Sequence, residues 1–423
     1  MRHHRIAWLL LLILILGFCT GCYADIPQQE EDSTSQEDTQ LTETGELPAP
    51  WLAEHSFTPD NHLTCGQLGV YPSTNGKGYY HGSPPRYYDI AQSTDMPICG
   101  KPGCEHRDES CPSYIPGVTE TAEVDGNLYA FCEKDDALEL LKVDTKTGDR
   151  KVLYRWDTTE KGYYLNSSFY SDGRLYITIL SSVAGCDTLL QTVDTATDEV
   201  HTLATCNEQS YGSFLGAYGG HAMIDWMTLS EKPLTLEEYL QKHPDQTDDQ
   251  YFYEYLFDFD QRYGQRELRL YDVQSGDYTD ATALLQAGRE EIPYTMLGTN
   301  GSCHGSQMIY QLGNTVCLYD FATGEARELF DEPHITNAFL VDGRLVYLVH
   351  PQNGKLTIHA RNLETGEDVL IPNGQDMDVM TFSIHSETAE AFVGLLNSDG
   401  NAKNAWIDKD DFYAGNYKNA VVN

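Results

Sequence analysis

The chain has 423 residues, with 65 acids against 27 bases and a formal net charge of −38. That balance argues against nucleic acid, whose binding needs a basic footprint, and against electrostatic docking on anionic lipid. It suits an acidic surface domain, and the length exceeds what one compact core usually holds unless the fold is repetitive.

Residues 1–22 read as a signal segment: "MRHHR" is basic and "IAWLLLLILILGF" is an apolar run too short to span a bilayer comfortably. "CTGC" follows, and small Thr20 and Gly21 before Cys22 resemble the bacterial lipoprotein signal. That resemblance implies diacylation of Cys22 and a lipid-anchored place on the extracytoplasmic face of the cell membrane. Residues 23–50 are rich in acids and Ser/Thr and lack bases, so they cannot bury enough apolar surface to offset the entropy of ordering. They are expected to form a disordered stalk, with the folded domain at 51–423.

Within that domain one pattern recurs: a strand, a tight turn on Asp or Asn, often with Thr-Gly, and a second strand. It is centred on Asp89, Asp144, Asp194, Asp272, Asp320, Asn362 and Asp408. The Asp or Asn can accept backbone N–H groups of the turn, and Gly takes the positive φ that other residues resist. Asp-Gly hairpins precede it at Asp125, Asp172 and Asp342. Two hairpins per unit give four strands, and units of about 40–50 residues are the mark of a β-propeller. The expected fold is all-β, with seven four-stranded blades; six or eight are the alternatives.

After the first hairpin, "MPICGKPGCEHRDESCPSY" gathers Cys99, Cys104, His106 and Cys111. Three thiolates and an imidazole form a closed four-donor set of the kind that holds structural zinc. An exported compartment favours disulfides instead, so both readings stand. A catalytic Cys104–His106 pair would need an orienting third group and an oxyanion site, which nothing nearby supplies. Nine cysteines lie beyond Cys22, an odd number, so at least one is outside any intramolecular disulfide. Cys186 and Cys206 are symmetric about the Asp194 turn and are expected to face each other as a disulfide.

The longest gap between turns, about 227–265, contains a helical stretch, "TLEEYLQKH", and then "DQYFYEYLFDFD". With period two, Tyr251, Tyr253, Tyr255, Phe257 and Phe259 share a face, and the aromatic enrichment favours a strand, with a short helix as the alternative. It forms either an aromatic lip over one mouth of the propeller or the packing of the inserted helix. "GSCHG" at 301–305 echoes a nucleophile elbow without its strand–turn–helix setting and reads as a blade edge. "DKDDF" near the C-terminus reads as an acidic, solvated turn.

The lipoprotein start, the C-x4-C-x-H-x4-C segment and the Asp…Thr-Gly turns together resemble β-propeller surface lipoproteins of Gram-positive anaerobes, distant relatives of TolB-like propellers. In that family the cluster follows the first blade, where Cys99, Cys104, His106 and Cys111 stand here. The resemblance implies fold and location but no reaction. The expected role is a binding or interaction scaffold in the cell envelope, with an envelope protein, peptide or glycan as ligand. The alternative is a glycan-active hydrolase or lyase.

Overall fold

The computed structural model describes residues 49–59, 70–73, 75–82, 84–99, 103–108, 111–183, 187–247, 250–285, 294–295, 303–351, 355–372, 382–398 and 401–422. The expected stalk lies outside these residues except for Ala49 and Pro50, and Cys22 lies outside them too.

Seven sheets follow one another along the chain, each built from consecutive antiparallel strands. Blade 1 comprises Val70–Pro72, Gly78–His81, Arg86–Asp89 and Thr94–Pro97. Blade 2 comprises Val118–Val124, Asn127–Lys134, Ala137–Asp144 and Arg150–Asp157, and blade 3 Tyr163–Ser171, Arg174–Ser181, Thr188–Asp194 and Val200–Cys206. Ser210–Tyr218, His221–Leu229, Gly264–Asp272 and Tyr278–Asp280 form blade 4. In blade 5, Tyr294–Thr295 and Cys303–His304 share one edge of Gln307–Leu312, followed by Thr315–Asp320 and Glu325–Asp331. Blade 6 holds Ile335–Val341, Arg344–Val349, Thr357–Arg361 and Asp368–Ile371, and blade 7 Phe382–Glu387, Ala391–Ser398, Asn401–Asp408 and Val421–Val422. The fold is a seven-bladed β-propeller.

The turn chemistry read from the sequence is present. Asp144 Oδ1 accepts from the N–H groups of Lys146 and Thr147 at 2.8 and 2.9 Å, and Asp272 Oδ1 from those of Gln274 and Ser275 at 2.9 and 2.8 Å. Asn362 does the same for Glu364 and Thr365. The backbone donors at Thr147 and Lys146 hold the Asp144 carboxyl below the usual range. At the Asp-Gly hairpins both residues take positive φ, for example 51° at Asp125 and 81° at Gly126, as a two-residue turn of the right twist demands. Asp408 instead caps a short helix, Lys409–Tyr413, by accepting from Asp410 N–H at 2.9 Å.

Apolar side chains fill the seams between blades. Phe131, Leu140 and Trp156 of blade 2 meet Leu175, Ile177 and Val193 of blade 3. Blade 1 is the exception in size: its strands are three or four residues long, against seven or eight in blade 2. Its seam with blade 7 rests on Tyr79, Tyr88 and Ile90 against Ala391, Val393 and Trp406.

Strand direction alternates, so the links after the first and third strands of a blade share one face of the disc, and those after the second share the other. The insert, between His221–Leu229 and Gly264–Asp272, belongs to the second set. Its first helix, Leu236–Lys242, carries a capping box in which Thr235 and Glu238 satisfy each other's backbone N–H groups. Over 251–259 the alternative, a helix, is what forms rather than the favoured strand: a π turn at Tyr251–Tyr255 runs into an α-helix at Leu256–Tyr263. The physical reason is the four-residue spacing of Tyr251, Tyr255, Phe259 and Tyr263, whose rings pack in succession with centroids 5.6, 5.7 and 4.5 Å apart. Tyr239 of the first helix packs on this ladder, with ring centroids 5.4 Å from Tyr251 and 4.8 Å from Tyr255. The ladder is therefore the insert's own small core.

Candidate metal centre

The segment from 98 to 117 links the last strand of blade 1 to the first of blade 2. Ile98 and Ile115 insert into the seam between these blades, against Tyr80, Leu128 and Val143, so the loop between them is held from both ends. Cys99 N–H donates to Ser113 Oγ at 2.7 Å, tying the two arms together. Gly103 and His106 both take the left-handed backbone conformation, at φ 74° and 54°, which lets the loop reverse on itself.

The reversal brings Cys99, Cys104, His106 and Cys111 together, with one donor atom from each lying within 4.8 Å of all the others. His106 Nδ1 stands 3.1 Å from Cys111 Sγ. Zinc–sulfur and zinc–nitrogen bonds of about 2.3 and 2.0 Å in a tetrahedron put donors roughly 3.4–3.8 Å apart. The cluster is of about that size, and no disulfide joins its three cysteines. Cys99 and Cys111 are buried and Cys104 and His106 half-buried, so the set could hold a metal such as zinc near the surface of the seam.

Blade 2 supplies the outer support. The guanidinium of Arg150 donates to the carbonyl oxygens of Cys111 and, at 2.7 Å, Tyr114. Gly148, in the Thr-Gly turn just before it, has φ 80°, and a Cβ there would stand 2.9 Å from Pro112 Cγ. Gly148→Ala should therefore cost more than the roughly 1–2 kcal/mol of a left-handed alanine. It should also weaken metal binding about tenfold. Gly173→Ala, with φ 76° and nothing within 4 Å of the added carbon, is the control. It should show the backbone cost in a denaturant titration and leave the metal titration unchanged.

The other expected site residues fall elsewhere. Cys206 is buried at the end of blade 3, opposite Thr188 in the register. Its expected partner Cys186 lies outside the described residues. "GSCHG" supplies a blade edge, Cys303–His304, paired with Met308 and Gln307.

A second polar centre was not foreseen. Lys409, with no side-chain exposure, places its ammonium 3.1 Å from Asp342 Oδ1, 3.1 Å from Glu387 Oε2 and 2.9 Å from the Ser56 carbonyl oxygen, using all three donors. Asp342, equally buried, also accepts from Ser56 N–H at 2.7 Å, Tyr413 Oη at 3.2 Å and His55 Nδ1 at 2.9 Å, with Arg344 at 3.1 Å. Burial alone would push the Asp342 carboxyl up, but the His55 hydrogen bond and the Lys409 and Arg344 charges hold it below the usual range. His304 Nε2 approaches Glu387 Oε1 from blade 5 at 2.9 Å.

No protein-family model and no curated protein matches the sequence. Solved structures resemble the chain in fold. An oligogalacturonate lyase in complex with manganese aligns at 12% identity and TM-score 0.47, over 82% of this chain and 92% of that one. The propeller domain of the Trilobed protease from Pyrococcus furiosus, described as having an open velcro topology, aligns at 11% and 0.46 over 81% and 96%. TolB from Acinetobacter baumannii aligns at 10% and 0.35 over 81% and 76%. At these identities the likeness is one of architecture: a β-propeller.

Proposed function

We propose that the chain is a surface lipoprotein whose propeller serves as a binding scaffold in the cell envelope, anchored at Cys22 and stapled by one structural zinc ion. The observation that carries this reading is the donor set at 99–111. Three cysteine sulfurs and one imidazole nitrogen lie within 4.8 Å of one another; around a zinc ion such a set would supply all four ligands and leave no position for water or substrate, as in structural rather than catalytic sites. The metal would tie the short-stranded blade 1 to blade 2, and the faces of the disc would be left for an envelope protein, peptide or glycan.

Metal content and free thiols, measured together on chain purified without chelator or reductant, test the staple. About one zinc per chain is expected, with Cys99, Cys104 and Cys111 reactive toward a thiol reagent only after chelation. No zinc, with those thiols oxidised, would replace the staple by disulfides. Turnover of envelope polysaccharide that disappears on chelation would replace the scaffold by a metal-dependent enzyme. Chemical cross-linking in intact envelopes, followed by mass spectrometry, is expected to capture a defined partner.

A further inference from the structure

In many propellers a sheet shared by the two chain ends closes the ring, but here no described sheet combines strands from both ends. The joint between blades 7 and 1 has a modest apolar seam and one described backbone link, Ala389 N–H to the Gly76 carbonyl oxygen at 2.9 Å. Across this part of the disc runs the segment before blade 1. Leu52 is fully buried in the core shared by blades 6 and 7. Arg344 of blade 6 donates to the carbonyl oxygens of Leu52 and Glu54, and its guanidinium lies over the rings of Trp51 and Tyr413. Ser56 lies so close to Gly343, in the blade 6 hairpin, that a Cβ there would stand 2.6 Å from its hydroxyl. Phe57 then reaches blade 1, its ring 2.8 Å from where a Cβ on Gly76 would be.

From these contacts we infer that Ala49–Phe57 is a noncovalent strap that closes the ring, running from blade 6 over blade 7 to blade 1 and locked by the buried Asp342–Lys409–Glu387 cluster. It does for this propeller what strand exchange between chain ends does in a closed one. The two sides of blade 1 thus differ: toward blade 2 it has the apolar seam and the Cys/His loop, and toward blade 7 the strap.

Hydrogen exchange on the full chain tests the strap. Phe57→Ala removes the contact with blade 1, and Leu52→Ala removes the anchor in the core shared by blades 6 and 7. Phe57→Ala should raise exchange at least tenfold in Gly78–His81 and in Ala391–Ser398, leaving Arg174–Ser181 of blade 3 at its wild-type rate. Leu52→Ala should extend the effect into blade 6. Should Leu52→Ala fail to fold, Phe57→Ala decides alone. Faster exchange confined to 49–58, or equal in all seven blades, would overturn the strap.

Discussion

Replacing Lys409 by methionine is expected to destabilise the fold by about 3–5 kcal/mol, the usual cost of leaving a buried charge without its partner. The side chains are of similar length, so little packing is lost. What is lost is the ammonium that faces two fully buried carboxylates and a carbonyl oxygen at about 3 Å. The double variant Lys409→Met/Glu387→Gln should recover part of this, with a coupling of about 1–3 kcal/mol, because the second change removes one of the orphaned charges. Equilibrium denaturation of the two single variants and the double variant measures it. Additive effects would show that Lys409 and Glu387 do not act as a pair.

The same cluster sets a pH window. His55 lies between Asp342 and Asp410, at 2.9 and 3.1 Å, stacks beside Tyr413, and shares Asp342 with Arg344 and Lys409. The Asp342 hydrogen bond, opposed by burial and helped by Asp410, raises the His55 pKa. Its stabilising contribution is therefore complete below the ordinary histidine value of about 6.5 and is lost as pH rises through the raised one. The lowered Asp342 carboxyl works in the opposite sense: its contribution is present above the ordinary carboxylate value of about 4 and is lost as pH falls. The strap should hold most tightly between those limits, and His55→Gln should abolish its share of the loss on the alkaline side.

If the proposed zinc staple is present, its loss is the second large expected effect. A tie across Cys99–Cys111 closes a loop of a length for which a covalent cross-link stabilises by about 3 kcal/mol through the unfolded chain. Cys104→Ser, or chelation of the wild type, should cost a comparable amount. The damage should be local, because Ile98, Ile115 and Arg150 still hold the ends of the loop. Limited proteolysis should then cut first between 98 and 117, with the bodies of blades 3 to 6 surviving. A variant that melts unchanged and resists cleavage would show that the cluster carries no staple.

The repeat was legible because each turn is a local chemical device. Asp144 and its Thr-Gly neighbours make their hydrogen bonds within four residues, so no distant partner is needed to recognise them. The Cys/His cluster was legible for the same reason, since one loop supplies all four donors. The Tyr251–Tyr263 region misled because its aromatic residues satisfy period two at the start and the helical four-residue spacing along the whole. Only the packing of Tyr239 and the continuation to Tyr263 decide between them. Lys409 was read as part of a solvated acidic turn because its sequence neighbours are Asp408, Asp410 and Asp411. Its true partners are Ser56, Asp342 and Glu387, from the opposite end of the chain and from blades 6 and 7. Nothing in a local reading brings those together.

The alternation of strand direction that lays Ala49–Phe57 over the Asp-Gly hairpin of blade 6 sends the helical insert to the reverse side of the disc. Were the chain held by lipid at Cys22, the tether would join the disc at the strap, and the hairpin side would look back toward the bilayer. The insert, with its cleft of about 520 Å³ between Lys232, Tyr239, Tyr255 and Arg262, would then be the outermost part of the molecule, the first surface an arriving ligand meets.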